Sequence, residues 1–389
     1  MTASFSAGMR LAAVLLLSLL LAACATRATK APEGLFNDRL FQAPSEQVGA
    51  DTLFALSPEM KQYLATEIAQ QVRAKGEQRG LYDALYSKRQ LQLDYDSAVT
   101  RNAAQAFAAR SGNCLSLVIM TAAFAKELGI PVRFQSAYSE ETWGRDDDTY
   151  FFIGHVNVSL GRRRAEVGPM HQPDQMTIDF IPPLEIRALR THEISEQTVT
   201  AMYMNNKAAE TLAKGRLDDA YAWARAAVVQ DPGFVSSYNT LGVVYLRHGN
   251  LAEAEKVFVT ALESDPYNTR VLSNLAAVFS AQGRTTEAAA LTRKLEQLDP
   301  DPPFAFFNRG LKAMRERDFE AARDWFTREV NRQPYYHEFH FWLASAYVQL
   351  GQLDRARKEL NLALEYSTTR NDHDLYASKL DRIKSSQAQ

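Results

Sequence analysis

A 34-residue spacing in the C-terminal half is the strongest constraint on how this chain can fold. Pro232, Pro266, Pro300 and Pro334 lie 34 residues apart, and each closes a segment built on the same plan. Small residues recur as pairs in register: Ala208 and Ala220, Gly242 and Ala254, Ala276 and Ala288, Gly310 and Ala322, Ala344 and Ala356. A period of this length is typical of stacked helix pairs, because no single unit can bury its apolar face alone. The pattern predicts an all-α solenoid over residues 201–370.

This segment resembles the tetratricopeptide repeat (TPR) family, with five units. The stretch SYNTLGVVYLRHGNLAEAEKVFVTALESDPYN (237–268) carries the family pattern most fully. Turn glycines separate the two helices in four units: Gly215, Gly249, Gly283 and Gly351. The fourth unit departs from the pattern at Arg309, Arg317 and Glu329. Residues 371–389 are predicted to form a C-terminal cap helix and tail.

The resemblance also suggests a binding surface, because the first helices of TPR units line the concave side of the superhelix. Counting along these helices places seven side chains on that side: Arg247, Arg270, Phe304, Phe307, Met314, Arg315 and Phe341. An aromatic and basic strip of this kind predicts binding of a protein partner or an extended peptide substrate. The alternative is that the strip packs against the preceding domain or the cap helix.

The N-terminus follows the plan of an export signal. Residues 1–10 carry one positive side chain, residues 11–23 form an uncharged apolar run, and Cys24 ends the motif LAAC. The run is too short to span a bilayer, and it fits the core of a signal peptide over residues 1–23. An ordinary secretory signal with an incidental cysteine is one interpretation.

The order Leu-Ala-Ala-Cys resembles the lipobox of bacterial lipoproteins, whose cysteine is diacylated and becomes the new N-terminus. The resemblance implies lipidation at Cys24 and a lipidated tether over residues 24–45. Residue 25 is Ala and not Asp, which by the family's sorting rule implies the periplasmic face of the outer membrane. The lipid anchor would make the membrane a partner of the chain.

Charge and cysteine content exclude one class of partner and single out one residue. The chain has 44 basic and 46 acidic residues without a basic stripe, so no nucleic-acid partner is expected. It has two cysteines. If Cys24 carries lipid, Cys114 has no disulfide partner within the chain, and it is either a buried inert thiol or a reactive one.

Residues 46–200 have the composition of an α+β domain. The stretch PEMKQYLATEIAQQVRAK (58–75) and the apolar run after Cys114 read as helices, and Gly129 with Pro131 ends the second. The stretches VRFQSAY (132–138), YFFIGHVNVSL (150–160), RAEVG (164–168) and QMTIDFI (175–181) have the β-branched and aromatic content of strands. We expect the helix that begins at Cys114 to pack on an antiparallel sheet.

A thiol nucleophile needs a nearby base, a group that orients the base, and donors for an oxyanion. A helix N-terminus at Cys114 would supply the donors and favour a thiolate. His155 is the best-placed base, since alternation along its strand puts it on one face with Asn157 and Ser159. Asp179 lies on a further strand and is the candidate orienting group.

Two other histidines precede the repeats. His171 lies in a loop between prolines, and His192 lies in the polar run that leads to the repeats. Neither is predicted to be held on a strand, so both are weaker candidates for the base.

The order and context of these residues resemble the transglutaminase-like superfamily, which has a papain-like core, over residues 95–182. GNCLSLVIMTAAFAKELGIPVRF (112–134) resembles its Cys segment, GHVNVSL (154–160) its His strand and TIDF (177–180) its Asp strand. The resemblance implies a Cys114 nucleophile, a His155 base and an Asp179 orienting residue. It also implies hydrolysis or acyl transfer at protein or peptide amides, without a cofactor or metal. Many members follow the histidine with Ala-Trp, whereas Val156 and Asn157 stand here.

Other interpretations stay open at this point. The chain is alternatively a non-catalytic TPR adaptor, or an assembly factor for envelope complexes, with an inactive transglutaminase-like domain. A zinc site built from Cys114, His155 and Asp179 is chemically possible, but the three ligands lack local metal-binding spacing.

Overall fold

The computed structural model describes residues 30–387 except 88–90, 92, 98, 139–142, 147–148, 153–154, 162–174 and 181–189. The predicted signal peptide, the lipidation site at Cys24 and the predicted strand at 164–168 therefore lie outside the described residues.

The described part of the first domain begins with a group of helices. They are α1 (Pro58–Tyr63), α2 (Ala69–Lys75), α3 (Glu77–Tyr86), α4 (Ala103–Ala109) and α5 (Cys114–Glu127). A π-helical stretch, Leu64–Ile68, joins α1 to α2, so the predicted helix 58–75 is confirmed. Gly129 adopts a left-handed φ of 70° just after α5, which explains why that helix ends there.

The described part of this domain also holds eight strands. They are β1 (Asp94–Tyr95), β2 (Ser111–Gly112), β3 (Val132–Tyr138), β4 (Trp143–Asp146), β5 (Thr149–Phe152), β6 (His155–Leu160), β7 (Met176–Ile178) and β8 (Arg190–Ile194). Four of them form an antiparallel sheet in the order β7-β6-β3-β8. Helix α5 packs against β6, and all six β6 residues are buried. The predicted α+β layout is confirmed.

After this domain, the described chain forms ten helices in five consecutive pairs. They are α6 (Glu196–Ala213), α7 (Leu217–Gln230), α8 (Val235–His248), α9 (Leu251–Ser264), α10 (Thr269–Ala281), α11 (Thr285–Leu298), α12 (Ala305–Arg315), α13 (Phe319–Arg332), α14 (His337–Gln349) and α15 (Leu353–Tyr366). The four repeated prolines each follow the second helix of a pair by two residues. A last helix, α16 (Arg370–Gln387), packs on α15.

The small residues of the repeat explain how closely paired helices approach. A Cβ added at Gly242 would lie 2.4 Å from the Phe258 ring, and one at Gly310 would lie 2.5 Å from the Phe326 ring. Both distances are far shorter than a normal contact, so only glycine fits without a shift of the ring or of the helices.

The buried apolar core is interrupted at the junction of the third and fourth helix pairs. One cluster is continuous from the first domain to Ala288, and a separate cluster begins at Phe304. The sequence between α11 and α12 is DPDPPF (299–304), whose three prolines cannot extend a helix.

The fourth pair uses a buried acid to begin its first helix. Phe304 precedes α12, and its apolar ring cannot cap the helix. Glu329, from α13, is completely buried, and its Oε2 accepts a hydrogen bond from the Phe307 N–H at 3.0 Å. Burial raises the pKa of Glu329, against the smaller effect of that hydrogen bond. The departure at Glu329 is therefore a helix cap contributed by the neighbouring helix.

The described part of the predicted tether, residues 30–45, lies against the first two helix pairs. The Phe41 ring stacks on Tyr221 with centroids 3.9 Å apart. Lys256 Nζ donates to the carbonyl oxygen of Gly34 at 2.8 Å, and Tyr245 donates to that of Leu35 at 3.0 Å. This segment is thus held by the solenoid over much of its length.

Across the part of the chain that the structure describes, no helix combines the length and apolar content needed to cross a bilayer.

Candidate active site

Cys114 is the first residue of α5, and a side-chain cap fixes the start of this helix. Asn113 Oδ1 accepts hydrogen bonds from the Ser116 N–H at 2.9 Å and from Ser116 Oγ at 2.7 Å. The first N–H groups of a helix have no partner within it, so the turn that carries Cys114 can donate to an anion. Cys114 itself is only 6% exposed.

His155 and Asp179 form a buried pair on neighbouring strands. Asp179 follows β7 directly, and β7 pairs with β6 so that Val158 lies opposite Ile178. His155 Nε2 lies 2.6 Å from Asp179 Oδ1, and both side chains are 7% exposed. Asp179 thus lies beside the strand that carries His155, within hydrogen-bond distance of the imidazole.

The Cys114 thiol contacts the same imidazole. Burial alone would lower the pKa of His155, but hydrogen bonds to Asp179 and to Cys114 outweigh it and raise this pKa to about 9. Asp179 occupies Nε2, which leaves Nδ1 as the ring nitrogen available to the thiol. The three residues that the sequence singled out therefore meet in one place, in the order thiol, imidazole, carboxylate.

Asn157 is a fourth member of this group that the sequence interpretation did not assign. It lies on the same face of β6 as His155 and is 2% exposed. Its Nδ2 donates to Asp179 Oδ2 at 3.3 Å, so each oxygen of the carboxylate has its own partner. The alternation along β6 and the departure from Ala-Trp were the signals that could have identified it.

His192, the other histidine that the structure describes in this domain, does not join the group. His192 is on β8, which β3 separates from β6, and it lies opposite Ser136. It is therefore part of a strand and not of the polar connection that the sequence suggested. His171 lies outside the described residues.

No three His, Cys, Asp or Glu side chains in the described ranges are grouped so that they could hold a metal ion.

Three family models match the chain. Residues 64–162 match the transglutaminase-like superfamily, and residues 245–305 and 306–371 match tetratricopeptide repeats. The chain carries a transglutaminase-like domain followed by TPR repeats. The superfamily match spans Cys114 and His155. The TPR repeats fit a role in protein interaction.

Individual relatives cover only part of the chain. Protein O-mannosyl-transferase Tmtc3 of Drosophila melanogaster is 35% identical over 83 residues, which are 21% of this chain and 9% of that protein. Tetratricopeptide repeat-containing protein trd-1 of Caenorhabditis elegans is 29% identical over 154 residues, which are 39% of this chain and 19% of that protein. This chain therefore covers less than a fifth of either relative.

One solved structure that is similar to part of this chain is also a TPR protein. A thermophilic TPR protein of Thermus thermophilus covers 46% of this chain and 98% of its own length, at 20% identity and a TM-score of 0.30.

The predicted partner-binding strip of the TPR repeats is wrong at Phe304 and Phe307, which are buried. Phe304 is 1% exposed and Phe307 is fully buried, and their rings pack edge to face within the core of the last two repeats. Phe304 lies outside α12, with a left-handed φ of 63°, so counting along a helix misplaced it. Phe341 stacks on Tyr376 of the cap helix with centroids 5.1 Å apart.

The other members of the strip are partly accessible. Arg247 and Arg315 are exposed, whereas Arg270 and Met314 are half-buried. What stays at the surface is therefore mainly basic.

Proposed function

We propose that this chain is a thiol enzyme that hydrolyses or transfers acyl groups at protein or peptide amides. The observation that carries the proposal is the buried contact series from the Cys114 thiol through the His155 imidazole to the Asp179 carboxylate. The three residue types have the roles of nucleophile, base and orienting group in amide chemistry.

The reaction would run in two halves. Cys114 Sγ attacks the amide carbonyl carbon, and N–H groups at the start of α5 stabilise the oxyanion. The imidazolium of His155 then gives its proton to the amine nitrogen as the C–N bond breaks, which leaves a thioester. Water, or an acceptor amine, attacks the thioester while the imidazole takes its proton, and the thiol is restored.

The electrostatics of His155 support the first half. Burial opposes its charge, but the hydrogen bonds to Asp179 and Cys114 raise the pKa to about 9, so the imidazolium predominates at neutral pH. An imidazolium beside the sulfur stabilises a thiolate and already holds the proton that the leaving amine requires.

The repeats would bring a protein substrate or partner to this domain. Exposed Arg247 and Arg315 favour a partner with acidic character. Pull-down with an Arg247→Ala, Arg315→Ala double variant should recover less of that partner.

Alkylation of the thiol by iodoacetamide tests the enzyme proposal. Native wild-type chain should label at Cys114 near pH 6, and His155→Ala should label more slowly, because the thiolate then loses its cation. Mass spectrometry of the peptide that contains Cys114 measures both rates. Labelling that begins only after denaturation, in a chain whose Cys114→Ala variant keeps its envelope function, would refute the proposal.

A second candidate function is a non-catalytic adaptor or envelope assembly factor. The low exposure of Cys114, 6%, favours it, because a substrate carbonyl must reach the sulfur. In that case Cys114→Ala would behave as wild type, and loss of the repeats would abolish function.

We further propose that Cys24 carries a lipid that anchors the chain at the periplasmic face of the outer membrane. The apolar run and the LAAC motif support this. Metabolic labelling with a fatty-acid analogue should mark the wild type and spare Cys24→Ser. Equal labelling of the two would overturn the anchor.

A further inference from the structure

The hydroxyl of Thr100 holds the side chain of Asn113, which caps the start of α5. Thr100 Oγ1 accepts a hydrogen bond from Asn113 Nδ2 at 2.9 Å, and Thr100 is 2% exposed. This contact orients the Asn113 amide so that its Oδ1 faces the Ser116 N–H. Thr100 thus determines how the first turn of α5, with Cys114, is capped.

The same threonine is bound to the first helix of the repeats. Asn206 Nδ2, on α6, donates to Thr100 Oγ1 at 3.2 Å, and Glu210 Oε1 accepts from the Thr100 N–H at 2.6 Å. One hydroxyl oxygen therefore receives a donor from the catalytic cap and a donor from the solenoid. Asn206 and Glu210 lie four residues apart, so they are neighbours on one face of α6.

Further contacts connect the loop that carries Thr100, just before α4, to α5 and to the solenoid. Arg101 N–H donates to Ser116 Oγ at 2.9 Å, within the first turn of α5. At the far end of the repeats, Ser97 Oγ donates to Thr368 Oγ1 at 3.0 Å. The loop before α4 thus meets the beginning and the end of the solenoid while it holds the start of the nucleophile helix.

We propose that Asn206 and Glu210 are positioning residues for Cys114, and that they act through Thr100 and Asn113. The inference rests on the proposed thiol chemistry, since it gives these repeat residues a part in that chemistry. A partner that shifts α6 would move the Thr100 loop and with it the turn that carries the nucleophile. The TPR repeats would then set the reactivity of the thiol as well as recruit the substrate.

Two adjacent asparagines on α6 provide a matched test in the full-length chain. Asn206→Ala removes the donor to Thr100, whereas Asn205→Ala removes a neighbouring amide whose buried Oδ1 has no hydrogen-bond partner among the described residues. A single lost hydrogen bond should slow iodoacetamide labelling at neutral pH by roughly threefold to tenfold in Asn206→Ala. The pH profile should also move upward, while Asn205→Ala keeps the wild-type profile.

Glu210 provides a conservative rescue. Glu210→Gln keeps an acceptor for the Thr100 N–H and should label as fast as wild type, whereas Glu210→Ala should slow labelling. In a Thr100→Val background, Asn206→Ala should have no further effect, because the hydroxyl through which it acts is gone. A full effect of Asn206→Ala in that background would overturn the inference.

Amide hydrogen exchange separates this inference from the proposed enzyme. Peptides that cover the first turn of α5 should exchange faster in Asn206→Ala and Glu210→Ala than in Asn205→Ala, whether or not the thiol reacts. Equal exchange in all variants would overturn the inference. A wild-type Cys114 that resists native alkylation would instead overturn the enzyme proposal, and exchange would still decide the link.

Discussion

Replacing Asp179 by Asn is the most direct test of the charge arrangement at the site. Burial works against the charge on His155, and hydrogen bonds to Asp179 and Cys114 raise its pKa from 6.5 to about 9. Asp179→Asn removes the negative charge but keeps the side-chain shape. We expect the pKa of His155 to fall towards or below 6.5, because burial then meets less opposition.

The same change should have a pH-dependent effect on stability. A rise in pKa from 6.5 to about 9 corresponds to about 3 kcal/mol. Since the folded pKa is the higher one, this stabilisation is complete below pH 6.5 and is lost as the pH rises through about 9. Asp179→Asn should therefore lower the free energy of unfolding by up to about 3 kcal/mol at low pH and by much less above pH 9.

The assay is an NMR titration of the full-length chain labelled with ¹³C at histidine Cε1. Urea unfolding is measured just below pH 6.5 and again above pH 9. The His155 signal is the one that His155→Gln lacks. His340, which is paired with Glu359 at 2.7 Å in the last repeat, is the internal control, and its signal should be the same in both proteins. A wild-type His155 that titrates near its ordinary pKa of 6.5, or a titration curve that Asp179→Asn leaves unchanged, would show that Asp179 does not raise the pKa of His155.

Three further predictions concern the repeats. Gly310→Ala should lower the free energy of unfolding by about 1–3 kcal/mol, since its methyl group would lie 2.5 Å from the Phe326 ring; an unchanged urea midpoint would contradict this. Burial raises the pKa of Glu329, so its charge opposes folding at neutral pH: Glu329→Gln should keep or raise the thermal midpoint. Glu329→Ala should instead cost about 0.5–2 kcal/mol as a lost cap, and the reverse order would exclude that role. Phe304→Ser should destabilise the fold by at least about 3 kcal/mol, as loss of a core ring does, whereas Arg315→Ala should stay within about 0.5 kcal/mol by the same denaturation. Similar effects of these last two would show that the burial pattern is wrong.

The sequence predicted the two-domain plan because the plan is written in local patterns. The 34-residue spacing, the small residues at Gly242 and Gly310 and the turn glycines each act within one helix pair, where neighbours in sequence are neighbours in space. The start of α5 could be predicted in the same way, because Asn113 caps this helix through Ser116, only three residues further along the sequence.

The site was only partly predictable, because it depends on contacts between residues that are far apart in sequence. Alternation along β6 put His155 and Asn157 on one face, but only the pairing of β6 with β7 shows that both hold Asp179. No local pattern reports which strand becomes a neighbour, since that depends on how the whole sheet buries its apolar faces.

Local sequence patterns predicted the fold class and pointed to a thiol, an imidazole and a carboxylate as the candidate site. Tertiary packing decides which aromatic rings are core, as with Phe304, and brings Asn206 to Thr100 across 106 residues of sequence. Such contacts depend on packing between segments that are far apart in sequence. This packing can bury a side chain that the helical register places on an exposed face. The sequence encodes them only through the complete fold.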